Sequence, residues 1–212
     1  MAPHRSRPPA PPPRGRHGPP PGGSGHLRII GGRFRGRRLP IPDQPGLRPT
    51  PDRVRETLFN WLAPVIEGAR CLDPFAGTGA LGLEAASRGA ASVVLIERSA
   101  PVARQLRANI EALGAVGVEV LEGDALAWLA DPRPRSALAP FDLVFLDPPF
   151  AAGLLAPACE LLARHRWLTP GGRVYLETAS TAELPLLPPG WEVIRERSAG
   201  QVRYALALAE SP

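Results

Sequence analysis

From residue 69 onward, short apolar runs alternate with stretches of helical periodicity, and this alternation restricts the chain to one class of architecture. The strand candidates are 69–73, 92–97, 117–121, 141–146 and 172–177, and the helix candidates between them are 79–88, 100–113, 124–130 and 153–166. Consecutive strands can run parallel only when a crossover, usually a helix, carries the chain back to the starting edge. Strand–helix alternation therefore predicts a doubly wound, mostly parallel sheet covered on both faces. The pattern changes at the end, where 191–197 and 201–208 are β-rich and joined only by Ser198-Ala199-Gly200. That link is too short for a crossover, so an antiparallel hairpin closes a seven-stranded, mostly parallel α/β sheet. With 212 residues, 44% of them hydrophobic, the chain can bury one core of this size.

The front of the chain is different. Residues 1–26 hold nine Pro and five Gly with no aliphatic pattern, a composition that cannot offset its ordering entropy and predicts a disordered tail. Order is expected from Leu27. Residues 27–30 and 37–41 read as two short strands of a small β-hairpin, linked through Gly31-Gly32 and an Arg-rich connection. Thr50 is placed to cap a helix opening at Pro51. Within that helix Val54, Leu58 and Trp61, with Leu62, form the apolar stripe, leaving Arg53 and Arg55 off it. The chain thus divides into a tail (1–26), a basic hairpin and loop (27–50) and an α/β domain (51–212).

Charge follows the same division. Residues 1–62 carry 12 Arg against Asp43, Asp52 and Glu56, a net +9, whereas residues 63–212 carry 13 Arg against 17 acids, a net −4. A basic front on an acidic body fits a polyanionic partner, and equally a solvated tail. No apolar run approaches the roughly 20 residues of a membrane span, and no signal series opens the chain, so a cytoplasmic protein without membrane association is expected. Cys71 and Cys159 are too few and too far apart for a disulfide framework or a metal site, and no metal is expected. They read as packed thiols, His165 as a helix-end residue, and Trp128 and Trp167 as core.

The first strand of the α/β region runs into Asp73-Pro74-Phe75-Ala76-Gly77-Thr78-Gly79-Ala80-Leu81-Gly82. Glycines 77, 79 and 82 match a dinucleotide fingerprint, a weak signal alone. Asp73 argues against a pyrophosphate, which it would repel, and for a ligand with a cationic end. S-adenosylmethionine (SAM) carries an α-ammonium and a sulfonium. On this reading Asp73 and the Gly77–Gly79 backbone hold its methionine portion, and Glu97, ending the second strand, accepts from its ribose hydroxyls. Asp124, after the third strand, accepts from the adenine amine or serves only as a helix cap. Phe75, Thr78, Arg98 and Ala125 flank the same pocket. Three acids at the carboxyl ends of three strands face one crevice, where open α/β sheets bind ligands.

A second loop, Asp147-Pro148-Pro149-Phe150, ends the fourth strand. The prolines fix the backbone and supply no amide, leaving carbonyls free to accept. A carboxylate beside such a carbonyl clamps both hydrogens of a planar NH2 group, and Phe150 offers a face on which a base stacks. The bland alternative is a Pro-Pro turn with Phe150 in the core. Gripping an exocyclic amine favours a pyramidal nitrogen, aims its lone pair at a methyl electrophile and stabilises the developing positive charge. Asp147 or a solvent path then removes the proton, and the base must first be unstacked or single-stranded.

These residues, together with Leu27-Arg28-Ile29-Ile30-Gly31-Gly32, Gly46-Leu47-Arg48-Pro49-Thr50, the block from Asp52 to Leu62 and Gly200-Gln201-Val202, resemble the RsmD family of bacterial methyltransferases over residues 27–208. The resemblance implies a class I SAM-dependent fold, a guanine held at Asp147, Pro148, Pro149 and Phe150 for methylation on N2, and a substrate of 16S ribosomal RNA (rRNA) in the small ribosomal subunit or its assembly intermediates, with the protein acting as a monomer. It maps an RNA-contacting hairpin onto residues 27–42 and places Thr50, Arg53 and Glu56 beside the active site. Arg28, Arg33, Arg35, Arg37, Arg38, Arg48, Arg53 and Arg55, with Thr50, are the candidate RNA contacts. Competing readings are a DNA adenine-N6 methylase, a protein glutamine-N5 methylase, a non-catalytic RNA-binding assembly factor and, disfavoured by Asp73, an NAD oxidoreductase.

Overall fold

The computed structural model describes residues 25–44, 47, 49–131 and 140–210. The expected tail lies outside the described residues up to Ser24, as does Arg48. In chain order the elements are β1 (His26–Arg28), β2 (Arg38–Pro40), α1 (Asp52–Leu62), β3 (Arg70–Asp73), α2 (Ala80–Ser87), β4 (Ser92–Glu97), α3 (Ala100–Leu113), β5 (Val118–Glu122), α4 (Ala125–Ala130), β6 (Phe141–Leu146), α5 (Leu155–Arg164), β7 (Leu168–Ala179), β8 (Trp191–Ala199) and β9 (Val202–Ala209).

Strands β3 to β9 form one sheet in the order β5-β4-β3-β6-β7-β9-β8. The first five are parallel, and β9 runs antiparallel to both neighbours, as the alternation and the short terminal link require. The chain winds outward from β3 to β5 and then jumps back to β6 on the other side of β3, so the order reverses between β3 and β6. A crevice opens above the strand ends at such a reversal. Strand β7 begins four residues before the sequence-predicted 172, because the β6–β7 register shifts between Phe141 and Leu143 and absorbs Pro170-Gly171-Gly172, which by sequence reads as a turn.

Alternate residues of each strand enter opposite cores. Cys71, Leu95, Phe145, Tyr175 and Tyr204 face α1, α2, α3 and the β1–β2 hairpin. Leu72, Ile96, Leu146, Leu176 and Ala207 face α4 and α5, where Trp167 is fully buried and Trp128 half-buried against it. Both cysteines are buried thiols, and His165 caps α5.

A two-stranded hairpin of this size is not stable by itself. It is held because Leu27, Ile29, Phe34, Leu39 and Ile41 join the core of the main domain, and because α2, buried on every side, presents polar groups to it. The Glu84 carboxylate accepts the Ile30 and Gly31 amides at 2.8 Å each, and Ser87 Oγ accepts the Phe34 amide at 2.9 Å. Gly32 has φ +71°, and a Cβ there would meet the Ser87 carbonyl at 1.8 Å, so only glycine lets the hairpin lie this close.

This docking corrects the reading of α1. Arg55 is buried, 1% exposed, although periodicity leaves it off the apolar stripe. The hairpin and α2 cover that side of the helix, and the guanidinium is fully engaged. Nε donates to the Thr50 carbonyl at 3.1 Å, Nη1 to Glu84 at 3.4 Å, and Nη2 to the Arg28 carbonyl at 2.9 Å and to Asp52 at 2.6 Å. Arg55 is thus a tie between elements and not an RNA contact. The helix also starts one residue later than expected, at Asp52, and Thr50 makes no capping bond to it.

Candidate active site

The carboxyl ends of β3, β4 and β6 bring Asp73, Glu97 and Asp147 together at the reversal point. Asp73 is 2% exposed, and its Oδ2 accepts the Gly82 amide at 3.1 Å. Burial, reinforced by the charges of Asp147 and Glu97, pushes its carboxyl up to about 8 against the opposing backbone hydrogen bonds, and no described arginine offsets this. Burial likewise raises Asp147 to about 6, although the Thr50 hydroxyl, donating to Asp147 Oδ2 at 3.0 Å, works in the other direction. A crevice of unneutralised acids is arranged for a cation.

The glycine loop shapes the other wall. Gly79, at φ +77°, turns the chain into α2, and a Cβ at Gly82 would come within 2.2 Å of Leu95, so the third glycine permits close helix–strand packing. Glu97 accepts the Gly77 amide at 3.0 Å on Oε2 and the Ser99 amide at 2.7 Å on Oε1. Each carboxylate oxygen retains a lone pair for a hydroxyl. Asp124 caps α4, its Oδ1 accepting the Ala127 amide at 2.9 Å; capping and adenine recognition are compatible. Thr78 and Ala125 are buried, Phe75 is half-buried, and Arg98 is exposed. This donor set fits SAM: an acid for the ammonium, and amides and a carboxylate around the ribose.

On the substrate side Pro148 is buried and Pro149 exposed. Phe150 is 46% exposed, which removes the alternative that places it in the core.

The family model described as Conserved hypothetical protein 95 matches residues 27–208. Ribosomal RNA small subunit methyltransferase D of Escherichia coli (strain K12) is 51% identical over 189 residues, 89% of this chain and 93% of that one. The chain belongs to the RsmD family. The like-named protein of Haemophilus influenzae is 44% identical over 88% of this chain and 95% of its own. A solved structure of yhhF from Escherichia coli superposes with a TM-score of 0.81 at 47% identity, covering 89% of this chain and all of that one, 100%. As an RsmD-family member the chain is a methyltransferase that uses SAM.

Within this RsmD-family site Thr50 lies where the resemblance places it, beside the active-site loop, but it makes no capping bond; it is buried with its hydroxyl on Asp147. Glu177 is a residue that sequence reasoning misses. It ends the apolar part of β7 beside Asp147, 3% exposed, and the lone acid after Val174-Tyr175-Leu176 is the signal that could have marked it, as Asp73 and Glu97 are marked. The arginines of the hairpin and α1 are otherwise on the surface: Arg28, Arg33, Arg35, Arg37, Arg38 and Arg53 are exposed. Arg28 pairs with Asp52 at 2.7 Å, and Arg37 donates to the Ala112 carbonyl at 2.8 Å. No helix of the described residues is long and apolar enough to cross a membrane.

Proposed function

We propose that this enzyme methylates the exocyclic N2 of a guanine in 16S rRNA of the small ribosomal subunit, on a cytoplasmic assembly particle and as a monomer. The observation that supports the reading is the acid at the end of β6: Asp147 lies near enough to Asp73 for its charge to raise that acid, accepts the Thr50 hydroxyl, and is followed by a Pro-Pro turn and an exposed aromatic ring.

The chain's own groups would act as follows. Asp73 and the Gly77–Gly79 backbone hold the charged end of the cofactor, Glu97 its ribose and Asp124 its adenine. SAM, when bound, supplies a methyl group on a sulfonium. Phe150 stacks the unstacked guanine. The Asp147 carboxylate and the free carbonyl of Pro148 accept the two N2 hydrogens, turn the nitrogen lone pair toward the crevice, and stabilise positive charge as it develops on nitrogen. Asp147, whose carboxyl is pushed up to about 6, is placed to take the departing proton. The hairpin (27–50) would supply phosphate contacts through its exposed arginines and the domain from residue 51 the chemistry, in keeping with relatives named for small-subunit rRNA.

Transfer of labelled methyl from SAM to small subunits from a strain lacking this protein, followed by nucleoside mass spectrometry, tests the reading. N2-methylguanosine in 16S rRNA supports it. Label on adenine N6 of duplex DNA, on a glutamine side chain, or nowhere despite SAM binding, overturns it.

A further inference from the structure

We propose that Glu177 is the residue that reads the target base as a guanine, accepting its N1–H while Asp147 and the Pro148 carbonyl grip N2; this rests on the guanine-N2 reading above. Strands β6 and β7 pair in parallel through Leu146 and Leu176. Asp147, the first residue past β6, and Glu177, still within β7 and paired with Tyr204 of β9, therefore lie side by side at the strand spacing of about 4.8 Å, on the face of Phe145 and Tyr175. The Tyr175 hydroxyl donates to Glu177 Oε2 at 2.5 Å. Tyr175 is itself fixed against Tyr204, whose ring stacks on Trp61 with centroids 5.5 Å apart. The carboxylate is thus held in one orientation. It lines a cavity of about 190 Å³ together with Pro148, Pro149, Phe150, Thr178 and Glu183. Burial and the charge of Asp147 push Glu177 up to about 8 against the Tyr175 hydrogen bond, a cost that N–H donors from a ligand would relieve further.

The acceptors match one base. Pro148 and Glu177 line this cavity, and Asp147, next to Pro148 in the chain and to Glu177 across the β6–β7 register, would add a third neighbouring acceptor. Guanine presents adjacent donors, N1–H and N2–H2, on its Watson–Crick edge. Adenine and cytosine each present an amine beside a ring-nitrogen lone pair, which would face Glu177 unpaired or be repelled. Sites built to hydrogen-bond a substrate group reject analogues lacking it far more strongly than apolar pockets reject shape.

The test uses 2-aminopurine, which keeps the 2-amino group but has a lone pair at N1. Small subunits are reconstituted with 16S rRNA carrying guanine or 2-aminopurine at the position methylated in the assay above. The wild-type enzyme should prefer guanine in kcat/KM by about 100-fold or more. Glu177→Gln, whose amide can donate to N1, should narrow that preference at least about tenfold while retaining SAM affinity. The ratio within one preparation is independent of how much of it is folded. An unchanged ratio overturns the proposal whatever the absolute rate and leaves the guanine-N2 reading standing. Should Glu177→Gln not fold, Tyr175→Phe, which keeps the acid but frees it, must narrow the same ratio, and failure to do so also overturns it. A wild-type enzyme that methylates neither RNA while binding SAM removes the parent reading and this one together.

Discussion

Two buried carboxylates within eleven residues of each other, Asp73 and Glu84, show how the fold separates structure from chemistry. Glu84 is 0% exposed and surrounded by donors: two hairpin amides, Arg55, and Arg88 at 2.7 Å. Asp73 is nearly as buried, but it receives backbone amides only and has acids for neighbours, so its carboxyl is pushed up to about 8. The protein neutralises the acid it uses as a tie and gives Asp73 no cationic partner among the described residues. The same contrast separates Arg55, enclosed and paired, from Arg38, exposed on the hairpin.

If that division is right, Glu84→Ala should be the most damaging change to stability. It strips the buried Arg55 guanidinium of its buried carboxylate, leaving only the half-exposed Asp52 and two carbonyls, and leaves two hairpin amides unsatisfied, a loss on the order of 3–5 kcal/mol, read from urea unfolding midpoints. A loss below about 1 kcal/mol, the scale of a surface pair, would mean the hairpin is held by apolar contacts alone. Asp147→Ala should do the reverse, lowering turnover by about 100- to 1,000-fold with SAM affinity and stability nearly unchanged. Near-normal turnover would break the assignment of the clamp.

Asp73 should reveal itself through pH. Its folded-state pKa is raised, so the folded protein holds a proton that the unfolded chain has lost. The ligand-free protein should therefore lose stability as pH climbs from about 4 toward 8, with Asp147 and Glu177 acting in the same direction. SAM, which favours ionised Asp73, should bind more tightly with rising pH, up to roughly tenfold per unit between pH 6 and 7.5, above which its own amine begins to deprotonate. Asp73→Asn should flatten that slope in isothermal titration, and a slope equal to wild type would place the ammonium elsewhere. The smallest effect belongs to the exposed arginines. Each of Arg35→Ala and Arg38→Ala should reduce the log–log salt slope of RNA binding by about 0.7–0.9. An unaltered slope would make them merely solvated charges.

Strand–helix alternation was enough to specify the sheet, its terminal hairpin and both acid-bearing loops, because side-chain period and crossover length are local properties that each segment carries by itself. The acids ending β3, β4 and β6 were legible for the same reason: position at a strand end already places them on the ligand edge. Burial between elements is not local. Arg55 looks solvent-facing on its own helix and is enclosed only because the hairpin and α2 close over it. Thr50 looks like a cap and becomes the partner of a residue 97 positions away. Glu177 looks like the end of a strand, and only the β6–β7 register sets it beside Asp147. Sequence spacing decides which face a residue takes within its element; what covers that face depends on contacts between distant segments, and those exist only once the chain has folded.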